Sequence, residues 1–375
     1  MLRSRKTTAP LCVKVSDMWR ICAFLLLAAV AFGQNDWRHA TPESAGLDSS
    51  RLHAMEAAIQ GGEFKKIGSV LVARHGQLVY EKYFEGNAAT LRDTRSATKS
   101  ITSLLIGLAI QDKKLSGVNA KILDLLPERR RRLQNPDPRK ERITVEDLLT
   151  MSSPLECDDW NDASRGNEER MYLIEDWGQF ILDLPIRGRM RIGKAQESPK
   201  YGRDFSYCTG GVFLLAEVLA KTTGLCADEY AQQKLFAPLG VERSVWVYSP
   251  LNVPQTGGGL RLSSPDLLRI VQLYLNGGRW NEQRIINGQW VTESVKPHAE
   301  INDHQEYGYL WWLQSFKGGD SSYPAFFMSG NGGNKVLGFP TLDMAVVITS
   351  TNYNTRGMHE QTERLLSEYI LAAVR

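Results

Sequence analysis

Apolar residues form strand-like runs towards both ends of the chain. Near the N-terminus, 67–74 and 78–84 are rich in β-branched or aromatic residues, and His75-Gly76 between them predicts a hairpin. Near the C-terminus, β character returns in the runs 308–313, 326–328 and 344–349. These patterns predict strands that lie far apart in the sequence.

Helical periodicity occupies the segments around and between these runs. Apolar residues recur there at intervals of three and four, and the predicted helices are 52–59, 96–110, 144–149, 210–222, 264–275 and 359–374. This order predicts an α+β fold, in the form of an α/β sandwich. One antiparallel sheet is built from N- and C-terminal segments and flanked by helices, with a mainly helical lobe inserted at about 100–240.

Residues 1–33 have the pattern of a secretory signal peptide. Five basic residues precede the apolar run 21–32, and Gly33 supplies a small residue for cleavage. Because a spanning helix needs about 20 apolar residues, the shorter run favours a cleaved leader, with an uncleaved anchor as the alternative. We therefore expect export to the periplasm or the exterior. The mature domain is then 34–375, with no stable membrane association after cleavage.

The net charge of the chain comes from this leader. The 375 residues include 45 Lys and Arg and 42 Asp and Glu, for a formal charge of +3. The leader holds five of those bases and one of those acids, so the remaining domain has a charge of −1. Overall charge therefore gives no support for nucleic-acid binding. The basic run 129–132 is expected to be a solvated loop in preference to a site for an anionic partner.

Three of the five cysteines, Cys157, Cys208 and Cys226, remain after the leader is removed. In an exported protein an odd number leaves two alternatives open, one disulfide or no pairing at all. Cys157 with Cys208 is the favoured pair because both lie near the motifs described below. Three isolated buried thiols are the alternative.

The first candidate chemistry lies in Ser96-Ala97-Thr98-Lys99, at the start of an apolar helix. Residues three apart on a helix share a face, so the hydroxyl and the amine can point into one pocket. A desolvated lysine can take the proton from a serine hydroxyl, and the helix N-terminus offers N–H groups to an oxyanion. The spacing alone is weak, since chance should supply it about once in a chain of this length.

Two further segments indicate a catalytic site only when they are considered together with Ser96 and Lys99. Tyr207, in Tyr207-Cys208-Thr209, precedes the predicted helix 210–222, where a phenol beside an ammonium can relay protons. The segment 329–334 contains three glycines between two β runs, and glycines let a backbone approach a ligand closely. Taken singly, a core tyrosine and a glycine-rich hairpin turn are the simpler explanations.

Together the three segments resemble the three signatures of the serine β-lactamase and penicillin-recognising superfamily. The residues 96–99 match S-x-x-K, 207–209 resemble Y-x-N, and 330–333 resemble glycine-rich variants of K-T-G. The resemblance is closest to the class C-like branch, which includes family-VIII-type esterases and aminohexanoate-dimer hydrolases. It extends over 143–153 and 257–267, and runs from about Pro42 to the C-terminus.

This resemblance implies a β-lactamase/transpeptidase-like fold and a role for each residue. Ser96 is then the nucleophile, Lys99 the amine that helps to deprotonate it, and Tyr207 the second acid/base group. The Ser96 N–H is one oxyanion donor, and the other lies near Gly333 or Asn334. The residues implied to contact the substrate or the oxyanion are Thr209, Asn331, Gly332, Gly333 and Asn334. No metal or cofactor is required, and the histidines lack the spacing of zinc ligands.

Two departures from the family pattern bear on the substrate. Thr209 stands where β-lactamases of this branch have Asn, and Asn331 stands near the position of the K-T-G lysine. A neutral amide cannot attract the carboxylate of a penicillin as an ammonium does. The expected activity is that of a carboxylesterase that acts on small esters through an acyl-enzyme on Ser96. An amidase, a peptidase or a weak β-lactamase on the same site, and a non-catalytic ligand-binding receptor, are the alternatives.

The expected partner is accordingly a small-molecule ester or amide. Candidate walls of an apolar acyl pocket are Trp160, Tyr309, Trp311 and Trp312. Their alternative role is ordinary core packing, which is the commoner use of buried aromatic residues.

Overall fold

The computed structural model describes residues 37–188 and 199–375. The expected signal peptide lies outside these residues. The strands of the described part are β1 (Arg38–His39), β2 (Ile67–Arg74), β3 (Gln77–Tyr83), β4 (Leu91–Asp93), β5 (Val245–Trp246), β6 (Leu260–Ser263), β7 (Arg279–Trp280), β8 (Gln283–Arg284), β9 (Ala299–Asn302), β10 (Gln305–Tyr307), β11 (Trp312–Gly318), β12 (Ser321–Gly330), β13 (Asn334–Phe339) and β14 (Met344–Ser350).

Helices occupy most of the remaining described chain. The α-helices are α1 (Ser49–Gln60), α2 (Thr98–Gln111), α3 (Ile122–Leu125), α4 (Pro127–Arg130), α5 (Val145–Leu149), α6 (Glu168–Met171), α7 (Trp177–Asp183), α8 (Thr209–Thr223), α9 (Ala227–Ala231), α10 (Ala237–Leu239), α11 (Ser264–Leu275), α12 (Gly288–Ser294) and α13 (Met358–Leu365). Short 3-10 turns at Glu43–Ala45, Arg95–Ala97, Lys140–Arg142, Pro340–Leu342 and Leu371–Ala373, and π-helical turns at Gln232–Phe236 and Leu366–Ile370, connect or extend them.

A nine-stranded sheet, in the order β1-β3-β2-β14-β13-β12-β11-β10-β9, forms the centre of the described part of the molecule. Its neighbouring strands are antiparallel except for β1 with β3. β2 pairs with β14 so that Val72 lies opposite Val346, which joins the two ends of the chain. The smaller sheets are β4-β6-β5 and β7-β8. The predicted α+β fold with a large antiparallel sheet is confirmed.

Apolar clusters cover both faces of the large sheet. Successive side chains of a strand point to opposite faces, and in β2 Leu71 packs in one cluster while Val72 packs in the other. The first cluster includes residues of α2, α8 and α11, and the second includes residues of α1 and α13. Because both faces are buried, β2 and β14 are nearly continuous apolar runs.

The predicted elements differ from the structure mainly at their ends. The hairpin of β2 and β3 turns at His75 and Gly76, which have φ values of 53° and 70°. The run 308–313 is only partly a strand, because Leu310 has a φ of 61° and the Gly308 N–H donates to the Trp311 carbonyl in a turn. β11 therefore begins only at Trp312.

The basic run 129–132 contains a buried ion-pair network. Arg129 is 2% exposed, and its guanidinium donates to the two carboxylate oxygens of Glu217 at 2.7 and 2.9 Å. It also donates to both carboxylate oxygens of Asp176, at 2.6 and 2.7 Å. A buried cation is stable only when it is paired. The prediction of a solvated loop is therefore wrong for Arg129, whereas Arg132 is half exposed.

Within the described residues, no single helix is long and apolar enough to cross a membrane. One pair of helical segments, Thr209–Thr223 with Ala227–Leu239, reaches that length and apolarity only across a bend of 73°.

Candidate active site

Ser96 and Lys99 lie together where α2 begins. Ser96 belongs to the 3-10 turn Arg95–Ala97, and Lys99 lies in the first turn of the helix. Lys99 Nζ donates a hydrogen bond to Ser96 Oγ at 2.9 Å, and Lys99 is only 1% exposed. A buried amine in hydrogen-bond contact with a serine hydroxyl is the arrangement that activation of the serine by a base requires.

Two further groups hold the Lys99 amine in place. Nζ donates to Thr209 Oγ1 at 3.0 Å and to the carbonyl oxygen of Gly257 at 2.5 Å. Thr209 is fully buried and its hydroxyl holds Lys99, so the structure gives it a positioning contact, and its predicted contact with the substrate stays a prediction. Gly257 has no space for a side chain, because a Cβ there would lie 2.7 Å from Thr209 Cγ2.

The backbone before Ser96 is held in an unusual conformation. Arg95 has a φ of 52°, a region that side-chain-bearing residues rarely adopt. Its N–H donates to Asp93 Oδ1 at 3.3 Å, and its guanidinium lies 4.7 Å from the ring centroid of Tyr353. These contacts hold the turn that carries Ser96.

Tyr207 packs against the same amine. Lys99 Nζ lies 4.9 Å from the centroid of the Tyr207 ring, and Tyr207 is 7% exposed. Within the described part of the chain, the Tyr207 hydroxyl has no hydrogen-bond partner, so it remains available to a substrate. The structure therefore brings together the three residues predicted to be catalytic, Ser96, Lys99 and Tyr207.

The segment that carries Tyr207 is tied to a neighbouring loop. A disulfide joins Cys157 to Cys208, which confirms the favoured pairing. The Ser206 hydroxyl donates to the Cys157 carbonyl at 2.7 Å, and the Asp159 N–H donates to the Tyr207 carbonyl at 2.8 Å. Three links at the three consecutive residues 206–208 restrict the movement of the tyrosine backbone.

The glycine-rich segment approaches the nucleophile through its first glycine. Gly330 ends β12 and packs against the turn before Ser96, where a Cβ would collide with the carbonyl oxygen of Thr94. The next residue, Asn331, directly follows the end of β12. Neither its N–H nor the Ser96 N–H has a hydrogen-bond partner within the described residues. These two N–H groups are the candidate oxyanion donors.

The predicted donors near Gly333 and Asn334 face elsewhere. A Cβ on Gly333 would collide with the carbonyl oxygen of Met358, which places this glycine against α13. Asn334 is 1% exposed, and its side chain accepts from the Ser350 N–H at 3.0 Å and donates to the Asn331 carbonyl at 2.8 Å. The prediction placed the donor too late in the segment, because the local sequence does not show which glycine meets the nucleophile.

The remaining two residues of this segment also have structural partners. The Asn331 side chain donates to Asn354 Oδ1 at 2.5 Å and accepts from the Asn354 N–H at 2.8 Å. The Gly332 N–H donates to Met358 Sδ at 3.2 Å, and Gly332 forms a bridge with Asn352. Only the backbone of Asn331 is therefore retained as a candidate contact with the substrate, and its side chain is not.

Two of the four predicted pocket aromatics lie at the site. Trp160 is 59% exposed and stacks on Tyr207, with centroids 5.4 Å apart and planes 6° apart. Trp312 lies 5.8 Å from Tyr207 and 6.2 Å from Trp160. Tyr309 and Trp311 are buried in the core, which is the alternative role expected for these aromatic residues.

Asp159 is a charged group near the site that the sequence reasoning missed. Its Oδ2 accepts from the Thr209 N–H at 2.6 Å, and its Oδ1 accepts from the Glu168 N–H at 2.9 Å. Burial, together with the nearby Glu168 carboxylate, raises the pKa of Asp159 to about 6. The sequence contains two adjacent acids, and nothing local distinguishes Asp159 from Asp158. Among the described residues, no group of His, Cys, Asp or Glu is arranged to hold a metal ion.

A family model described as Beta-lactamase matches residues 60–369. The chain belongs to the beta-lactamase family. The match covers most of the chain and includes Ser96, Lys99, Tyr207 and the glycine-rich segment. It confirms the resemblance that the three motifs indicated.

Relatives in this family include hydrolases of several kinds. A 6-aminohexanoate-dimer hydrolase from Paenarthrobacter ureafaciens is 32% identical over 97 residues, which cover 24% of this chain and 24% of that protein. The structure of EstCE1, a hydrolase with promiscuous acyltransferase activity, superposes with a TM-score of 0.66 at 14% identity over 87% of this chain and 98% of that one. A class C beta-lactamase mutant gives a TM-score of 0.61 at 16% identity, over 89% and 99%. The two structural likenesses establish the fold.

Proposed function

We propose that this member of the beta-lactamase family is a serine carboxylesterase that forms an acyl-enzyme on Ser96. The observation that carries the proposal is the contact between Lys99 Nζ and Ser96 Oγ, 2.9 Å long and almost fully buried. Thr209 and Gly257 already accept hydrogen bonds from this buried amine. Its additional contact with Ser96 is therefore not needed to satisfy the amine, and we assign that contact to catalysis.

The reaction follows from the placement of these groups. Lys99 acts as a neutral amine, which accepts the proton of the Ser96 hydroxyl on its lone pair while Oγ attacks the ester carbonyl carbon, and the carbonyl oxygen becomes an oxyanion. The N–H groups of Ser96 and Asn331 stabilise that oxyanion. The bond to the leaving oxygen then breaks, and Tyr207 donates a proton to it. Water then attacks the acyl carbon and gives a proton to the Tyr207 oxygen, the bond to Ser96 Oγ breaks, and Lys99 returns its proton to Oγ, which releases the acid and restores Ser96, Lys99 and Tyr207.

The third motif favours a neutral substrate over a β-lactam. Asn331 near the family lysine position is neutral, and Asn354 engages its amide. Lys335, the nearest lysine in sequence, is 2% exposed and pairs with Glu363 at 2.9 Å, so it does not replace that charge. Within the part of the chain that the structure describes, neither Asn331 nor Lys335 therefore offers an ammonium to a substrate carboxylate at this edge.

Hydrolysis of three chromogenic compounds tests the proposal. A short-chain 4-nitrophenyl ester, a 4-nitroanilide and a cephalosporin are compared with wild type, Ser96→Ala and Ser315→Ala, an exposed serine on β11 that serves as the control. We expect the ester to be turned over fastest, and Ser96→Ala to lower its rate by about a thousandfold or more. Equal rates for wild type and Ser96→Ala would contradict the nucleophile.

The same experiment separates the alternatives. Faster turnover of the anilide or the cephalosporin than of the ester would make the protein an amidase or a β-lactamase. Intact-mass detection of a stable adduct on Ser96, without turnover of any compound, would make it a ligand-capturing receptor. Each of these outcomes contradicts the esterase proposal.

We also propose that the protein is exported. The basic residues and apolar run of 1–33 support this, and so does the Cys157–Cys208 disulfide, because disulfides persist in oxidising compartments. Cell fractionation followed by N-terminal sequencing is the test. The expected product is in the exported fraction and begins at Gln34, whereas an intact N-terminus in the membrane fraction would indicate an anchor.

A further inference from the structure

Asp159 touches both ends of the short segment that carries Tyr207 and Thr209. Its backbone N–H donates to the Tyr207 carbonyl at 2.8 Å, and its carboxylate accepts from the Thr209 N–H at 2.6 Å. The disulfide from Cys157 to Cys208 lies between these two contacts. The residue thus fixes the backbone on either side of Cys208.

The segment contains Tyr207 and, through Thr209, contacts Lys99, and these are the two side chains proposed to act with Ser96. Tyr207 is the proposed proton donor, and Thr209 Oγ1 accepts from Lys99 Nζ at 3.0 Å. A shift of the Thr209 backbone would therefore move Lys99 away from the Ser96 hydroxyl. The carboxylate of Asp159 accepts from the Thr209 N–H and from the Glu168 N–H, and it acts on Ser96 only through Thr209 and Lys99.

Charged groups from two elements face the Asp159 carboxyl. Glu168 and Tyr172 lie on the α6 side, and Lys99 lies on α2. The Glu168 carboxylate opposes ionisation of Asp159 and the Lys99 ammonium favours it, whereas the raised pKa of Tyr172 keeps its phenol neutral. Burial and Glu168 dominate, and they raise the pKa of Asp159 to about 6. Its charge therefore changes within the pH range in which such an enzyme is assayed.

We propose that Asp159 is a positioning residue, whose ionised carboxylate holds the Thr209 end of the Tyr207–Thr209 segment and thereby keeps Lys99 in its reactive place, while its backbone N–H holds the Tyr207 end. The proposal rests on the proposed function of Ser96. A hydrogen bond from an N–H to a carboxylate is roughly twice as strong as one to a neutral acceptor. Protonation of Asp159 weakens the contact with the Thr209 N–H, so kcat falls as the pH drops below about 6.

Three variants test this through the pH profile of kcat. Asp159→Asn keeps one acceptor oxygen but has no charge, and we expect kcat at pH 8 to fall about tenfold to a hundredfold, with loss of the acid limb near pH 6. Glu168→Gln removes the opposing charge and should move that limb to lower pH. Asp158→Asn is the matched control, because Asp158 caps the Trp160 N–H at 3.0 Å and does not contact Thr209.

The outcomes separate positioning from folding. Wild-type kcat in Asp159→Asn, or an acid limb that Glu168→Gln leaves in place, would overturn the proposal. A lowered kcat with an unchanged pH profile would mean a structural role only, and would also overturn it. Thermal unfolding of each variant checks that it is folded, and Asp159→Glu is a second variant that should restore part of the rate if Asp159→Asn does not fold.

A labelling experiment distinguishes failure of the esterase proposal from failure of the Asp159 proposal. The rate at which a fluorophosphonate labels Ser96, followed by intact mass, reports activation of the serine without any hydrolysis. If wild type is labelled but hydrolyses no ester, the esterase assignment fails, and the pH profile of labelling in wild type and Asp159→Asn still decides the role of Asp159.

Discussion

The hydroxyl of Thr209 accepts a hydrogen bond from Lys99 Nζ at 3.0 Å, in a fully buried position. Substitution of this residue should therefore act on the nucleophile's base and not on substrate binding. Thr209→Val keeps the shape but removes the acceptor, and we expect kcat to fall about tenfold with KM little changed, because a hydrogen bond to a charged group contributes about 1.5 kcal/mol or more. Steady-state kinetics with the ester measures this.

Thr209→Ser is the matched control for that substitution. It retains the hydroxyl, so its kcat should lie near that of wild type. A large rise in KM with unchanged kcat in Thr209→Val would instead show that the threonine contacts the substrate, which its burial argues against.

Removal of the Tyr207 hydroxyl should separate chemistry from packing. Tyr207→Phe keeps the ring that stacks on Trp160 and covers Lys99 Nζ, so the unfolding temperature should change little. We expect kcat to fall by about a hundredfold or more, since a positioned acid contributes that much to proton transfer. Near-normal turnover in this variant would remove Tyr207 from the mechanism.

Much of the fold could be predicted because the signals were local. The apolar runs of β2 and β14 are long enough to be recognised without tertiary information, and α8 has regular helical periodicity. The run 308–313 was misassigned as a strand because the turn at Leu310 depends on a positive φ that its side chain does not suggest. The buried position of Arg129 was missed since its partners, Glu217 and Asp176, are distant in sequence.

Residues of the candidate site could likewise be predicted only where the signal was local. Ser96, Lys99 and Tyr207 were found because motif spacing carries them, whereas Gly257 and Asp159 contribute through contacts that cross from other segments. The position of the oxyanion donor depended on which glycine packs against the turn before Ser96. That is a property of how β12 meets α2, and no local pattern contains it.

The buried ion pair between Arg129 and Glu217 predicts a large loss of stability when one partner is removed. Glu217→Leu removes one of the partners of Arg129, whose cation is only 2% exposed. We therefore expect the free energy of unfolding to fall by about 3 kcal/mol. Arg132→Ala removes a half-exposed partner of Asp176 and should cost less than about 1 kcal/mol. Denaturant unfolding of both variants makes the comparison, and equal losses would contradict it.

The disulfide between Cys157 and Cys208 predicts a joint effect on stability and activity. It closes a loop with a sequence separation of 51 residues, so the Cys157→Ala/Cys208→Ala variant should lose about 3–4 kcal/mol. Because the bond anchors the segment next to Tyr207, kcat should also fall at a temperature at which the variant is folded. Wild-type kcat under that condition would limit the disulfide to a role in stability.

The lowered pKa of His359 predicts that the free energy of unfolding falls as the pH is lowered. Burial, with the nearby Lys335 charge, lowers the pKa of His359 from about 6.5 to about 4. The unfolded chain therefore binds a proton below pH 6.5 that the folded protein does not, and stability falls as the pH drops towards 4. Between pH 6.5 and 4.5 this one group should cost about 2 kcal/mol. In His359→Gln that loss should be absent from the unfolding free energy.

Asp159 acts in the opposite direction over much of the same range. Its pKa is raised from 3.8 to about 6, so its contribution lowers stability as the pH rises from 4 to 6. The two slopes partly cancel in wild type, and each single variant should reveal the other group. His359→Gln should become less stable as the pH rises through this range, relative to wild type, and Asp159→Asn should become more stable. Parallel pH profiles for all three proteins would contradict both pKa assignments.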